Sequence, residues 1–283
     1  MTELDSDDDG EVEGDNADDE RMLFGEKREG TTLLAGSSLG VTRIDVAAAQ
    51  VGQFSLLDRG TVQGVATDGR EVIVAADGDV SRRTDDGLQA LGFGPAEAVG
   101  IDDSWIYAAD SERVARLDRT GGSAEWERIG SVDEPRRFAG DLLAADRLVR
   151  VGDGLEPLGL DNVRDLSAAG SLAATADGIY ERRDGEWKRL RAGDATAVVA
   201  EGGRAHAVVD GQLLERDGAA WTELSLPGGA EPHLLAYGRT LVVLDTEGTV
   251  HVAADPDVTH DGHGGWRSQA IGLRDVTALV ALR

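Results

Sequence analysis

The chain has 283 residues, 54 acidic and 28 basic, for a formal net charge of −26, and it contains no cysteine. These numbers exclude a disulfide framework, a thiolate metal site and a cysteine nucleophile, and they leave no basic footprint for nucleic acid. No apolar run reaches the 18 residues of a membrane-spanning helix, while the 41% of hydrophobic residues is enough for a folded core.

The charge has a pattern. Asp supplies 34 of the acids and Glu 20, and only Lys27 and Lys188 are lysines among the basic residues. At molar salt the Debye length falls to about 3 Å, so dense surface carboxylates no longer repel one another. An excess of Asp over Glu and of Arg over Lys therefore reads as adaptation to a salt-filled cytoplasm rather than as a clue to a partner.

Residues 1–21 form an acidic tail, with 11 acids and no basic residue in the first 20. Such a segment cannot bury enough apolar surface to offset its ordering entropy, and it is expected to be disordered. It lacks the positive start and apolar stretch of a signal peptide, which points to a cytoplasmic protein. Asp5, Asp7, Asp9 and Gly10 match the opening of a calcium loop, but Asn16 stands where a bidentate Glu is needed, so the run is read as a solvated tail.

Residues 22–283 form the second region. From residue 31 onward no 12-residue window has helical apolar spacing. Short runs of Val, Ile, Leu and Ala alternate with Asp-Gly and similar turns, as in Val-Ile-Val-Ala-Ala-Asp-Gly-Asp-Val at 72–80 and Ala-Ala-Thr-Ala-Asp-Gly-Ile-Tyr at 173–180. Asp-Gly suits a tight hairpin whose central residues need positive φ. Seven such hairpins, marked by Ser38, Asp77, Asp110, Asp146, Asp177, Asp210 and Thr246, recur every 31–39 residues. That period, filled with strands and turns alone, predicts a β-propeller.

An apolar strand precedes six of the seven copies, and a strand led by Trp126, Trp187, Trp221 or Trp266 follows several. The first copy has no strand before it. The last residues, Val276 to Leu282, repeat the pattern of the missing strand. The predicted fold is all-β: a seven-bladed propeller with four-stranded antiparallel blades, closed by the C-terminal strand pairing into the first blade. The recurring Trp residues are expected to pack between blades.

The repeated Ala-x-Asp-Gly hairpins, the Asp-Gly-x-Trp turns and the Asp-rich, Lys-poor composition are similar to those of seven-bladed propellers of the WD40 and YVTN type. The chain most resembles a haloarchaeal family of β-propeller proteins. The Trp-Asp pair that ends true WD40 blades does not occur here. The resemblance implies the fold and no particular reaction.

Three stretches are candidate sites. Gly36-Ser37-Ser38-Leu39-Gly40 fits a nucleophile elbow, but a strand and not a helix follows it, so it reads as a hairpin turn. The stretch 254–265 carries Asp257, His260, Asp261 and His263, an imidazole and carboxylate set suited to zinc or manganese. The loops leading into the inner strands converge on one channel mouth. There Arg59, Arg136, Asn162, Arg164, His233 and Arg274 form a candidate ligand site, its arginines suited to a carboxylate or phosphate.

No catalytic set and no cofactor motif stands out. The expectation is a monomeric protein-interaction scaffold with a protein partner, with no nucleic acid or membrane as partner, and more a binder than an enzyme. The competing expectation is a small-ligand propeller or a metal-assisted hydrolase or lyase acting at the channel mouth.

Overall fold

The computed structural model describes residues 30–47, 49–121, 125–254 and 265–282. The metal candidates Asp257, His260, Asp261 and His263, and the acidic tail with its calcium-loop motif, lie outside these residues.

Within them, 28 strands form seven four-stranded antiparallel sheets. The first strand among the described residues is the second strand of blade 1, β1 (Thr31–Ser37), followed by β2 (Gly40–Ala47) and β3 (Gln50–Arg59). Blade 2 is β4 (Val62–Thr67), β5 (Val72–Ala76), β6 (Val80–Thr84) and β7 (Gly87–Ala90), and blade 3 is β8 (Ala98–Ile101), β9 (Trp105–Ala109), β10 (Val114–Asp118) and β11 (Glu127–Gly130). Blade 4 is β12 (Arg137–Ala139), β13 (Leu142–Ala144), β14 (Arg147–Val151) and β15 (Leu155–Asp161), and blade 5 is β16 (Val163–Leu166), β17 (Leu172–Thr175), β18 (Gly178–Arg183) and β19 (Glu186–Ala192). Blade 6 is β20 (Ala195–Glu201), β21 (Arg204–Val209), β22 (Gln212–Asp217) and β23 (Ala220–Leu224). Blade 7 is β24 (Pro232–Tyr237), β25 (Leu241–Asp245), β26 (Thr249–Ala253) and β27 (Trp266–Ala270), and β28 (Val276–Leu282) ends the chain.

Ring closure follows the expected route. β28 pairs antiparallel with β1, Leu33 facing Ala281 and Ala35 facing Leu279, and becomes the inner strand of blade 1. Closure removes the inner sheet edges that would otherwise be exposed.

The buried side chains fall into seven clusters, one at each interface between neighbouring blades. Leu33, Ile44, Val242, Leu244 and Leu279 fill the seam between blades 7 and 1. Ile73, Val99 and Ile106 fill the seam between blades 2 and 3. The tryptophans pack as anticipated: Trp126, Trp187, Trp221 and Trp266 each lie against the cluster between their own blade and the one before it. Trp126 also donates through Nε1 to the Leu91 carbonyl at 2.9 Å, tying blade 3 to blade 2. Trp105 is half-buried against the cluster between blades 3 and 4, with the Arg116 guanidinium 4.2 Å from its ring.

Candidate functional site

The chain enters each inner strand with a shared pattern, at the strand's first residues or just before them. A buried residue comes first (Val62, Ala96, Pro135, Val163, Ala195, Pro232, Val276), and a polar one follows (Gln63, Glu97, Arg136, Arg164, Thr196, His233, Thr277). In blades 1, 2, 5, 6 and 7 the ladder slips at the polar residue, so it opposes no residue of the second strand. Such a bulge re-aims the side chain. Here it sets five polar residues, Gln63, Arg164, Thr196, His233 and Thr277, at one end of the central channel.

Several of the polar side chains in this pattern reach the next blade. Arg136 donates through Nη1 to the carbonyl of Val163 at 2.9 Å, the ring of His233 lies 2.9 Å from the carbonyl of Val276, and Thr277 donates to the carbonyl of Val62 at 2.7 Å. In each case the acceptor is the first inner-strand residue of the following blade. Arg164 forms an ion pair with Asp194 at 2.6 Å, also in the following blade. The lead-in loops are held from behind as well. The turn after the second strand donates from Asp77 to the Thr61 carbonyl at 3.1 Å and from Asp210 to that of Asp194 at 2.8 Å.

The central channel encloses a cavity of about 350 Å³, walled largely by small residues such as Gly64, Ala98, Gly100 and Ala278. Of the six expected mouth residues, Arg136 and Arg164 line it. His233 sits on the rim, turned toward Val276. Asn162 adopts a left-handed backbone, φ 51°, a conformation Asn tolerates better than most residues. Its amide donates to Asp146 at 2.6 Å and its carbonyl accepts from Ala176 at 3.3 Å. Arg59 ends β3, Arg274 precedes β28, both are exposed, and neither lines the cavity.

The sequence reading did not single out a second layer below the mouth. Arg137 and Asp165 line the channel and pair at 3.0 Å. Asp165 also accepts from the amides of Leu166 at 2.9 Å and Val198 at 2.8 Å, joining blades 4, 5 and 6. Burial pushes its carboxyl above the ordinary carboxylate range, opposed by Arg137 and the two amides. The one signal in the sequence was the polar third residue in Val-Arg-Asp-Leu at 163–166, where most blades have Gly, Ala or Leu.

This architecture defines the protein as a seven-bladed β-propeller. The chain belongs to the family described as Beta-prop_HVO_0234:-like, beta propeller, whose model matches residues 17–282. Solved structures share the fold at low identity. The computationally designed Ika8 protein is 15% identical with a TM-score of 0.56, over 89% of this chain and 90% of that one. AztD from Citrobacter koseri in its apo form is 9% identical with a TM-score of 0.52, over 89% and 98%. The WD40 propeller domain of Doa1 is 12% identical with a TM-score of 0.53, over 77% and 90%. No curated protein matches the chain. Among the described residues no helix is long and apolar enough to cross a membrane.

Proposed function

We propose that this propeller is a protein-interaction scaffold working in a salt-filled cytoplasm. The observation that carries this reading is the latching of the mouth. Arg136, His233 and Thr277 each bind the first inner-strand residue of the next blade, so the lead-in loops form one pre-set face. A surface fixed in advance loses little entropy when it docks, which favours binding of another macromolecule. The test is photo-crosslinking in molar KCl from probes at positions 59 and 274, both exposed beside the mouth. A reproducible protein partner at both positions, absent from a probe at the distant position 184, supports the reading. Adducts that do not depend on position overturn it. The salt part of the reading has its own measurement: the thermal midpoint rises between 0.1 and 3 M KCl, as screening relieves the repulsion of an excess of 26 negative charges.

The cavity of about 350 Å³ favours a second reading, a small anionic ligand in the channel. Arg136, Arg137 and Arg164 all lie on its wall. A panel of carboxylates and phosphates in a thermal-shift assay tests it. Stabilisation by one of them that Arg164→Ala removes supports this reading, and a flat panel refutes it.

A further inference from the structure

Blade 7 carries a Ser-His-Asp chain that neither reading uses. Asp245 ends β25, His251 lies in β26 and Ser268 in β27. The Nε2 of His251 is 3.0 Å from Asp245 Oδ2, and its Nδ1 is 2.8 Å from Ser268 Oγ. A carboxylate only accepts, so in the neutral ring Nε2 holds the proton and Nδ1 keeps its lone pair for the serine hydroxyl. Asp245 is fixed in turn: its Oδ1 accepts from the amides of Thr249 at 2.7 Å and Glu247 at 3.0 Å. Nucleophile, base and orienting carboxylate thus stand in sequence, and the orienting group is itself anchored. His251 is 2% exposed and Asp245 4%, whereas Ser268 is open to solvent.

The sheet register explains the contact. Ala254 donates to Gly265 and Ile271 to Gly248 across β26 and β27, so the pairs between those bonds alternate in type. His251 and Ser268 fall on a pair without backbone bonds, the kind that brings side chains closest. At such a pair the Ser268 N–H turns away from β26, toward the outer edge of the blade. The same face of blade 7 bears Ala253 and Trp266, which meet Leu224 and Leu226 of the preceding blade. Of these only Trp266 is partly exposed, so the serine opens beside one half-buried aromatic side chain.

We propose that Ser268 is an activated nucleophile that takes small apolar acyl groups from esters. Its Oγ attacks the ester carbonyl carbon and its proton passes to His251 Nδ1. The carbon–oxygen bond to the alcohol breaks, and the alcohol leaves with that proton. A water deprotonated by the same nitrogen then adds to the acyl-serine and releases the carboxylic acid, restoring the hydroxyl. The outward N–H of Ser268 is the donor placed for the oxyanion. The site lies on an outer strand away from the channel, and it stands or falls independently of the scaffold reading.

The experiment is covalent labelling of the full chain in molar KCl with an alkyl fluorophosphonate, read by peptide mass spectrometry, together with hydrolysis of p-nitrophenyl butyrate. The expected result is one adduct at Ser268, at least 100-fold faster than at the exposed Ser38 and Ser55 in the same sample. Ser268→Ala removes the adduct and the esterase signal, and Asp245→Asn slows labelling by at least 100-fold through loss of the required tautomer. Labelling at Ser268 no faster than at Ser38 and Ser55 overturns the proposal, and that comparison needs no variant to fold. An Asp245→Asn protein that melts like the parent and labels at the parent rate overturns it equally.

Discussion

Thr277 donates through Oγ1 to the carbonyl of Val62 at 2.7 Å and lies 3.3 Å from that of Gly36. One hydroxyl on the closing strand therefore touches the inner strand of the next blade and the second strand of its own. Closure of the ring rests on this bond as well as on the ladder between β28 and β1.

Replacing Thr277 with Val keeps the shape and removes the donor. The expected loss is about 1 kcal/mol, the usual net worth of one hydrogen bond, and Thr277→Ser restores most of it. Leu279→Ala, two residues on and 2% exposed in the seam between blades 7 and 1, is expected to cost more, about 2–4 kcal/mol. Denaturant unfolding followed by tryptophan fluorescence ranks the three variants. Equal losses for Thr277→Val and Leu279→Ala would contradict the assignment.

The seam between blades 3 and 4 depends on a missing side chain. A Cβ on Gly100 would lie 2.4 Å from Cβ and 2.7 Å from Cγ of Phe138. Phe138 cannot retreat easily, because its ring stacks on Tyr107 with centroids 5.6 Å apart. Gly100→Ala is expected to destabilise by about 1–3 kcal/mol through overpacking. Combining it with Phe138→Ala should give a total smaller than the sum of the two single losses, since the second change removes the Cγ contact and leaves the Phe138 Cβ room to give way. Additive losses in that double-mutant cycle would show that the two residues do not compete for space.

The repeat made the fold legible in the sequence. The Asp210-Gly211 hairpin holds both residues at positive φ, 52° and 75°, whereas Asp77-Gly78 turns without one, and the recurrence of such turns marks blade number and strand order. The closing strand was legible because Val276 to Leu282 lacked a hairpin partner of its own. The mouth was legible only in part. Arg136 and Arg164 reach the channel, but at Arg164 a bulge decides where the side chain points, and no local pattern marks it. Arg137 with Asp165, His206 with Tyr237, and His251 with Ser268 meet across strands or blades, at separations that only the assembled register defines.

The pair of Arg137 and Asp165 gives a further test. Asp165 is buried, 3.0 Å from Arg137, and accepts two amides. Asp165→Ala leaves those donors and the guanidinium without an acceptor, and is expected to cost about 3 kcal/mol. Arg137→Leu combined with Asp165→Leu should cost less than Asp165→Ala alone, because no charge is then left unmatched. Urea midpoints at pH 7 in molar salt decide it. A double variant weaker than Asp165→Ala would make the pair a net stabiliser.

Acid stability should show a component from one histidine. His206 is 3% exposed, and its ring meets the Tyr237 hydroxyl. Burial, aided by the charge of Arg204, pushes its pKa down to about 4 from 6.5. Glu215 lies 3.6 Å from Nε2, beyond hydrogen-bonding distance, and does not overcome the desolvation of an imidazolium. Between pH 6.5 and 4 the unfolded chain therefore binds more protons at this site than the folded one, so stability rises with pH. The contribution is complete above about pH 6.5 and is lost as pH falls to about 4, a swing of about 3 kcal/mol. Asp68 acts in a lower window. Burial works to raise it, but the amides of Glu71 and Arg70 and the Arg119 guanidinium outweigh that and hold it at about 2, so its contribution fades only between about pH 4 and 2. His206→Gln should therefore flatten the stability profile between pH 6.5 and 4 and leave the steeper fall below pH 4 intact. Denaturant midpoints measured across that range at constant salt read both limbs, and an unchanged slope above pH 4 in His206→Gln would assign the acid sensitivity to another group.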